Sequence, residues 1–84
     1  MSHRFRVSVI VTLKAGVLDP QGKAIENALS GMGFKGVEGV RQGKHFSFFL
    51  RAPSEEEAQH EVVSLCENLL VNGVVEDYRV EITR

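Results

Sequence analysis

Residues 4–14 read Arg-Phe-Arg-Val-Ser-Val-Ile-Val-Thr-Leu-Lys. Phe5, Val7, Val9, Val11 and Leu13 alternate with Arg4, Arg6, Ser8, Ile10 and Thr12, so an extended chain places the first set on one face and the second on the other. A period of two in a stretch rich in β-branched residues predicts a half-buried strand. A strand with one strongly apolar face needs a covering layer, which directs attention to the amphipathic segments on its C-terminal side.

Asp19-Pro20-Gln21-Gly22 combines an oxygen-bearing cap with proline at the first helical position, where its missing N–H is no loss. Ile25, Ala28, Leu29 and Met32 recur on one helical face and Gly33 can take positive φ at the end, so the spacing predicts a helix from about Pro20 to Met32. Beyond Phe34, Val37 and Val40 come Gln42-Gly43 and then Phe46, Phe48 and Leu50, alternating with His45, Ser47, Phe49 and Arg51. This pattern predicts two strands in a hairpin turning near Gly43. Pro53 ends the strand and Ser54-Glu55-Glu56-Glu57 offers a capping box for a second helix. Its apolar stripe is Ala58, Val62, Leu65, Cys66 and Leu69, and Asn72-Gly73 stops it. A last strand turns Tyr78, Val80 and Ile82 inward.

The resulting order, β-α-β-β-α-β, belongs to the α+β class. It implies a four-stranded antiparallel sheet with both helices on one face, a ferredoxin-like arrangement, in a single domain over residues 1–84. The opposite face then carries Ser8, Ile10, His45, Ser47, Phe49, Arg79 and Glu81, a mixture with exposed apolar members. A chain of 84 residues buries only about 60–65% of the surface it exposes when unfolded, so a thin core and a half-apolar open face together favour self-association.

Ten Lys and Arg against eleven Asp and Glu give a formal charge of -1 with no long run of one sign, which argues against nucleic acid and lipid surfaces as partners. The lone Cys66 has no disulfide partner and no membrane-length apolar run or secretory signal is visible, so a reducing cytoplasm is expected. Hydrophobic residues at 43% are enough for a folded core, and the five phenylalanines are assigned to it.

Candidate chemistry is sparse. His3, His45 and His60 share no metal-ligand spacing with Cys66, and six residues of helix turn His60 and Cys66 about 240° apart, which excludes a dyad within that element. Glu55, Glu56 and Glu57 are accounted for by a helix N-terminus, Asp19 by capping, and Cys66 by the core. Gly22 with Lys14 and Lys23 nearby gives only a faint phosphate-cradle signal, without P-loop or dinucleotide spacing. No catalytic, metal or cofactor site is therefore expected on the chain itself.

Thr12-Leu13-Lys14, then Val17-Leu18-Asp19-Pro20-Gln21-Gly22 with Ile25, Ala28 and Leu29, resembles the signature of the PurS family. The resemblance continues through Gly33-Phe34, Val37, Val40-Arg41 and Gly43-Lys44 to Cys66-Glu67-Asn68-Leu69-Leu70 and Glu76-Asp77-Tyr78, and so spans nearly the whole chain. Gly73 stands where many relatives have proline, and either residue ends a helix.

The resemblance implies a small subunit of phosphoribosylformylglycinamidine synthase, an ATP-dependent ligase of de novo purine biosynthesis that takes its nitrogen from glutamine. The small subunit, without an active site, is expected to bridge a glutaminase and a large synthetase subunit and to support ammonia transfer between them. It is expected to form a dimer or tetramer, while ATP and Mg belong to the complex. The turns bearing Lys14, Asp19, Gln21, Gly22, Arg41, Gly43 and Lys44 are then the expected partner contacts, since both place polar groups beside rigid elements. Lys14 and Arg41 have the charge to meet partner carboxylates or a nucleotide phosphate. Fold alone also allows a stand-alone ACT-like module that senses a small ligand.

Overall fold

The long strand β1, His3–Leu13, lies at the centre of the sheet, and everything else is placed relative to it. In the computed structural model, which describes residues 2–84, it is followed by helix α1 (Pro20–Gly31), strand β2 (Gly43–Ala52), helix α2 (Glu55–Leu65) and strand β3 (Glu76–Thr83). The sheet has three strands in the order β2-β1-β3, all antiparallel. Val7 faces Phe48 on one side and Ile82 on the other, and Val9 faces Phe46 and Val80, so the odd residues of β1 share one surface with the apolar residues of both neighbours.

α2 closes that surface. Val7, Val9 and Val11 pack with Val62 and Cys66 in one buried cluster, and Phe5, Ala52 and Ala58 form a second at the other end. The helix starts where Pro53 ends the strand: Ser54 Oγ accepts the Glu57 N–H at 3.2 Å, half of the expected capping box. After Leu65 the helix widens into a π turn over Cys66–Leu70, closed by the Val71 N–H donating to the Cys66 carbonyl. The wider turn rotates the apolar stripe by a residue. Leu70 packs against the core, and Leu69, expected inside, stands 77% exposed.

Two features differ from the ferredoxin-like expectation. The strand expected around Val37 and Val40 is not formed; residues 33–42 return as an irregular segment beside α1, with positive φ at Gly33 and Gly39. Helix α1 does not lie on the sheet either. It projects as an arm, and the molecule measures 55 × 25 × 14 Å with a radius of gyration of 16.7 Å, against about 12 Å for a compact chain of this length. The mixed face opposite α2 is open as expected, and Phe49 on it is 54% exposed rather than part of the core. Phe34, also assigned to the core from sequence, lies exposed on the arm.

Candidate docking surfaces

The seven residues singled out in the two turns meet at one end of the sheet, where β1 runs out and β2 begins. Asp19 is the hub. Its Oδ1 accepts the Gly22 N–H at 2.9 Å, capping α1, while Oδ2 accepts the Gln42 N–H at 2.7 Å across 23 residues. The Gln42 and Gly22 N–H groups, assisted by the nearby Arg41 charge, hold this carboxyl below the ordinary carboxylate range against the opposing effect of desolvation. Arg41 Nη2 donates to the Lys14 carbonyl at 3.0 Å, a second tie between the same two turns.

Close approach at this junction requires glycine twice. A Cβ at Gly22 would fall on the Val40 carbonyl oxygen and against Asp19 Oδ2, and one at Gly43 would fall on the Val11 carbonyl. Lys14 and Lys44 flank the site in ion pairs, Lys14 Nζ with Asp77 at 2.6 Å and Lys44 Nζ with Glu76 at 3.3 Å. Glu76 also accepts the Asn72 N–H, and this bond, followed by the Lys44 contact, lowers its pKa. Gln21, Gly43, Lys44 and Glu76 line a shallow hollow of about 220 Å³ with Asp19 on its wall. The cluster therefore anchors the arm to the sheet and leaves Gln21 and Lys44 at its surface.

Glu26 completes the anchor and had no local signature in the sequence. Its carboxylate accepts the Val40 N–H at 3.1 Å, 14 residues away, and takes an ion pair from Lys23; these contacts, the Val40 bond first, lower its pKa. Along the arm Leu18, Ile25, Met32, Phe34 and Val37 are all exposed, with Met32 71% accessible. So many large apolar groups on one projection make a surface that needs a partner.

Cys66 is wholly buried, and burial, with a smaller effect of Glu67, raises its pKa, the environment of an inert core thiol. Among the described residues no group of three or more His, Cys, Asp or Glu side chains is placed to hold a metal ion, and no helix is long and apolar enough to cross a membrane.

An antiparallel α+β chain with a projecting apolar arm, pinned by an internal carboxylate clamp, is built as an interaction protein. Comparison with known proteins gives that class a particular member. The profile of the PurS family, described as phosphoribosylformylglycinamidine (FGAM) synthase, matches residues 6–84, and the chain belongs to this family. It is 42% identical over 83 residues to the phosphoribosylformylglycinamidine synthase subunit PurS of Synechocystis sp., covering 99% of this chain and 83% of that protein. Bacillus subtilis PurS superposes with a TM-score of 0.86 at 41% identity, covering 95% of this chain and 99% of that one. A chain of the PurLQS structure from Thermotoga maritima superposes with a TM-score of 0.90 at 34% identity, covering 96% and 99%. Agreement with PurS chains over almost the full length does not favour the ACT-like alternative.

Proposed function

We propose that the chain acts as the non-catalytic bridge of phosphoribosylformylglycinamidine synthase, holding the glutaminase and synthetase subunits in register while ammonia passes between them. The observation that carries this reading is its full-length likeness to a chain found inside the PurLQS assembly of Thermotoga maritima. In this reading the assembly joins nitrogen from glutamine to formylglycinamide ribonucleotide at the expense of ATP, with ATP and Mg held by the larger subunits, in the cytoplasm. Ammonia released into water would protonate and lose its nucleophilic lone pair, so a subunit that excludes water along the route contributes without touching the reacting atoms.

The homo-oligomer belongs to the same reading. One copy leaves Ile25, Met32 and Phe34 of its arm uncovered, and leaves Phe46, Phe48 and Leu50 of β2 only half-buried under α2. Pairing of two copies through these surfaces supplies the burial that an 84-residue chain lacks. Lys14, Gln21, Arg41 and Lys44, on the face shaped by Asp19, Gly22 and Gly43, are then turned toward a larger subunit.

The test is reconstitution. Glutamine-dependent product formation by the two larger subunits is measured with and without this chain, alongside light scattering of the mixture and of the chain alone. Activity and co-elution that require the chain, and a chain that runs as a dimer or tetramer, support the proposal. Equal turnover without it would remove the bridging role.

A further inference from the structure

One end of the open sheet face carries a cluster of arginines around an aromatic ring. Arg4 on β1 and Arg51 on β2 are directly opposite each other, and Arg6 is the next residue of β1 on the same face, opposite Phe49. The Arg4 guanidinium carbon lies 3.8 Å from the Phe49 ring centroid and that of Arg6 5.7 Å, while Arg84 borders the same hollow beside Thr83. Among the described residues none of these arginines has a carboxylate within ion-pair distance, whereas Lys14, Lys23, Lys44 and Arg79 each do. Like charges placed directly across a strand pair destabilise a sheet, and among the described residues no ion pair to a carboxylate offsets this one.

We infer that Arg4, Arg6 and Arg51, with Phe49 at their centre, form a docking patch for a carboxylate-bearing surface of a larger protein subunit. This rests on the assembly role proposed above and specifies one of its contacts. Stacking on Phe49 leaves the edges of the guanidinium groups, where the N–H donors lie, free to grip carboxylates in bidentate fashion. The patch presents its donors on side chains, since β1 is paired with β2 from His3 to Thr12 and with β3 from Arg6 onward. It therefore lacks the concave backbone cradle that encloses a small anion. An open arginine and aromatic surface has the composition that anchors protein interfaces. The chain's own acidic run, Glu55 to Glu57, opens α2 on the opposite side of the sheet, and Glu81 on the open face stands opposite Ser8 in an ion pair with Arg79, so neither neutralises the patch.

The experiment measures binding of the full-length chain to the assembled larger subunits, comparing wild type with a variant carrying Arg4→Glu, Arg6→Glu and Arg51→Glu. Circular dichroism and light scattering establish that fold and self-association are kept; an Arg→Gln triple variant replaces it if the charge reversal does not fold. The expected result is affinity weakened at least ~10-fold, with the salt dependence of the wild type largely lost. Phe49→Ala should weaken binding in the same direction. Equal affinity of wild type and folded variants would overturn the patch while leaving the bridging role intact. A wild-type chain that does not bind the larger subunits would overturn both. Saturable stabilisation by inorganic phosphate that the variant loses would assign the patch to a small anion, and loss of self-association in the variant would assign it to contact between copies; either result overturns the inference.

Discussion

Both helices of this chain begin at a side-chain cap and both carry an apolar stripe, yet only one stripe is buried by its own chain. In α2 and the π turn that continues it, Val62 and Cys66 are sealed against the valines of β1 and Ala58 against Phe5 and Ala52. In α1, Ile25 and Met32 face outward and only Leu29 is half-covered. An amphipathic pattern shows that a face is to be covered, and is silent about which molecule covers it. Asp19 cannot supply that cover; it fixes where the arm starts and leaves its far end to a partner. The core helix and the arm helix should therefore respond to the same insult in different ways.

A carboxylate placed in each stripe gives the largest effect. Val62→Asp buries an unpaired charge in a fully closed cluster, a cost of several kcal/mol against a stability of about 4–13 kcal/mol for a chain of this size. The expected outcome is loss of the cooperative thermal transition at neutral pH. Ile25→Asp with Met32→Asp should leave the far-UV circular dichroism and the transition of the sheet in place while light scattering shows a shift toward monomer. If the arm substitutions abolish the transition as completely as Val62→Asp, the two helices are equivalent and the comparison fails.

The same contrast separates what could be read from the sequence from what could not. The alternation in residues 4–14 carried the central strand with its inward face, and the Asp19 and Ser54 caps located both helix starts, because these signals are local. Placing α1 on the sheet relied on the stripe at Ile25, Leu29 and Met32, which is as good a signal for an intermolecular face. The missing strand at Val37 and Val40 has a local cause with a distant agent: Glu26 and Asp19 take the N–H groups of Val40 and Gln42, removing donors that a ladder would need. Leu69 was misplaced because a π turn leaves no periodic trace in five residues. Of the candidate contacts, Lys14, Gln21 and Lys44 were legible as polar groups near element ends, and the structure places Gln21 in the first turn of α1 and Lys44 at the start of β2. The second roles of Asp19 and Arg41, as ties across 23 and 27 residues, needed the fold.

Glycine substitutions test the anchor of the arm and come next in size. Gly22→Ala drives a methyl group into the Val40 carbonyl and the Asp19 carboxylate, so arm and sheet must move apart. Overpacking of this kind costs about 2 kcal/mol, a fall in thermal midpoint of roughly 10 °C. Gly31→Ala, at the end of the same helix, meets nothing within 4 Å and lacks a positive φ, so it should be neutral or raise the midpoint through helix propensity. Comparable losses at Gly22 and Gly31 would mean that the junction is not the tight point.

Acid should loosen the arm before the core, by the smallest of these effects. Asp19 has its pKa lowered in the folded chain by the Gln42 and Gly22 N–H groups, so its stabilising contribution is complete above the ordinary value of 3.8 and is lost as pH falls through the lower folded value. Glu26, lowered from 4.5 chiefly by the Val40 N–H, acts in the same direction. The Ser54 hydroxyl that caps α2 does not titrate there. Hydrogen-exchange protection, corrected for the intrinsic pH dependence, should therefore fall for the Gly22, Val40 and Gln42 amides below about pH 4 while that of the Glu57 amide holds. Asp19→Asn keeps one acceptor oxygen, enough to cap α1, but turns an amide NH2 toward the Gln42 N–H, so it should lower protection at Gln42 already at neutral pH and flatten the further acid decline at Gly22 and Gln42. Protection that falls together at Gln42 and Glu57 in the wild type would place the first acid event in the core rather than at the hinge of the arm.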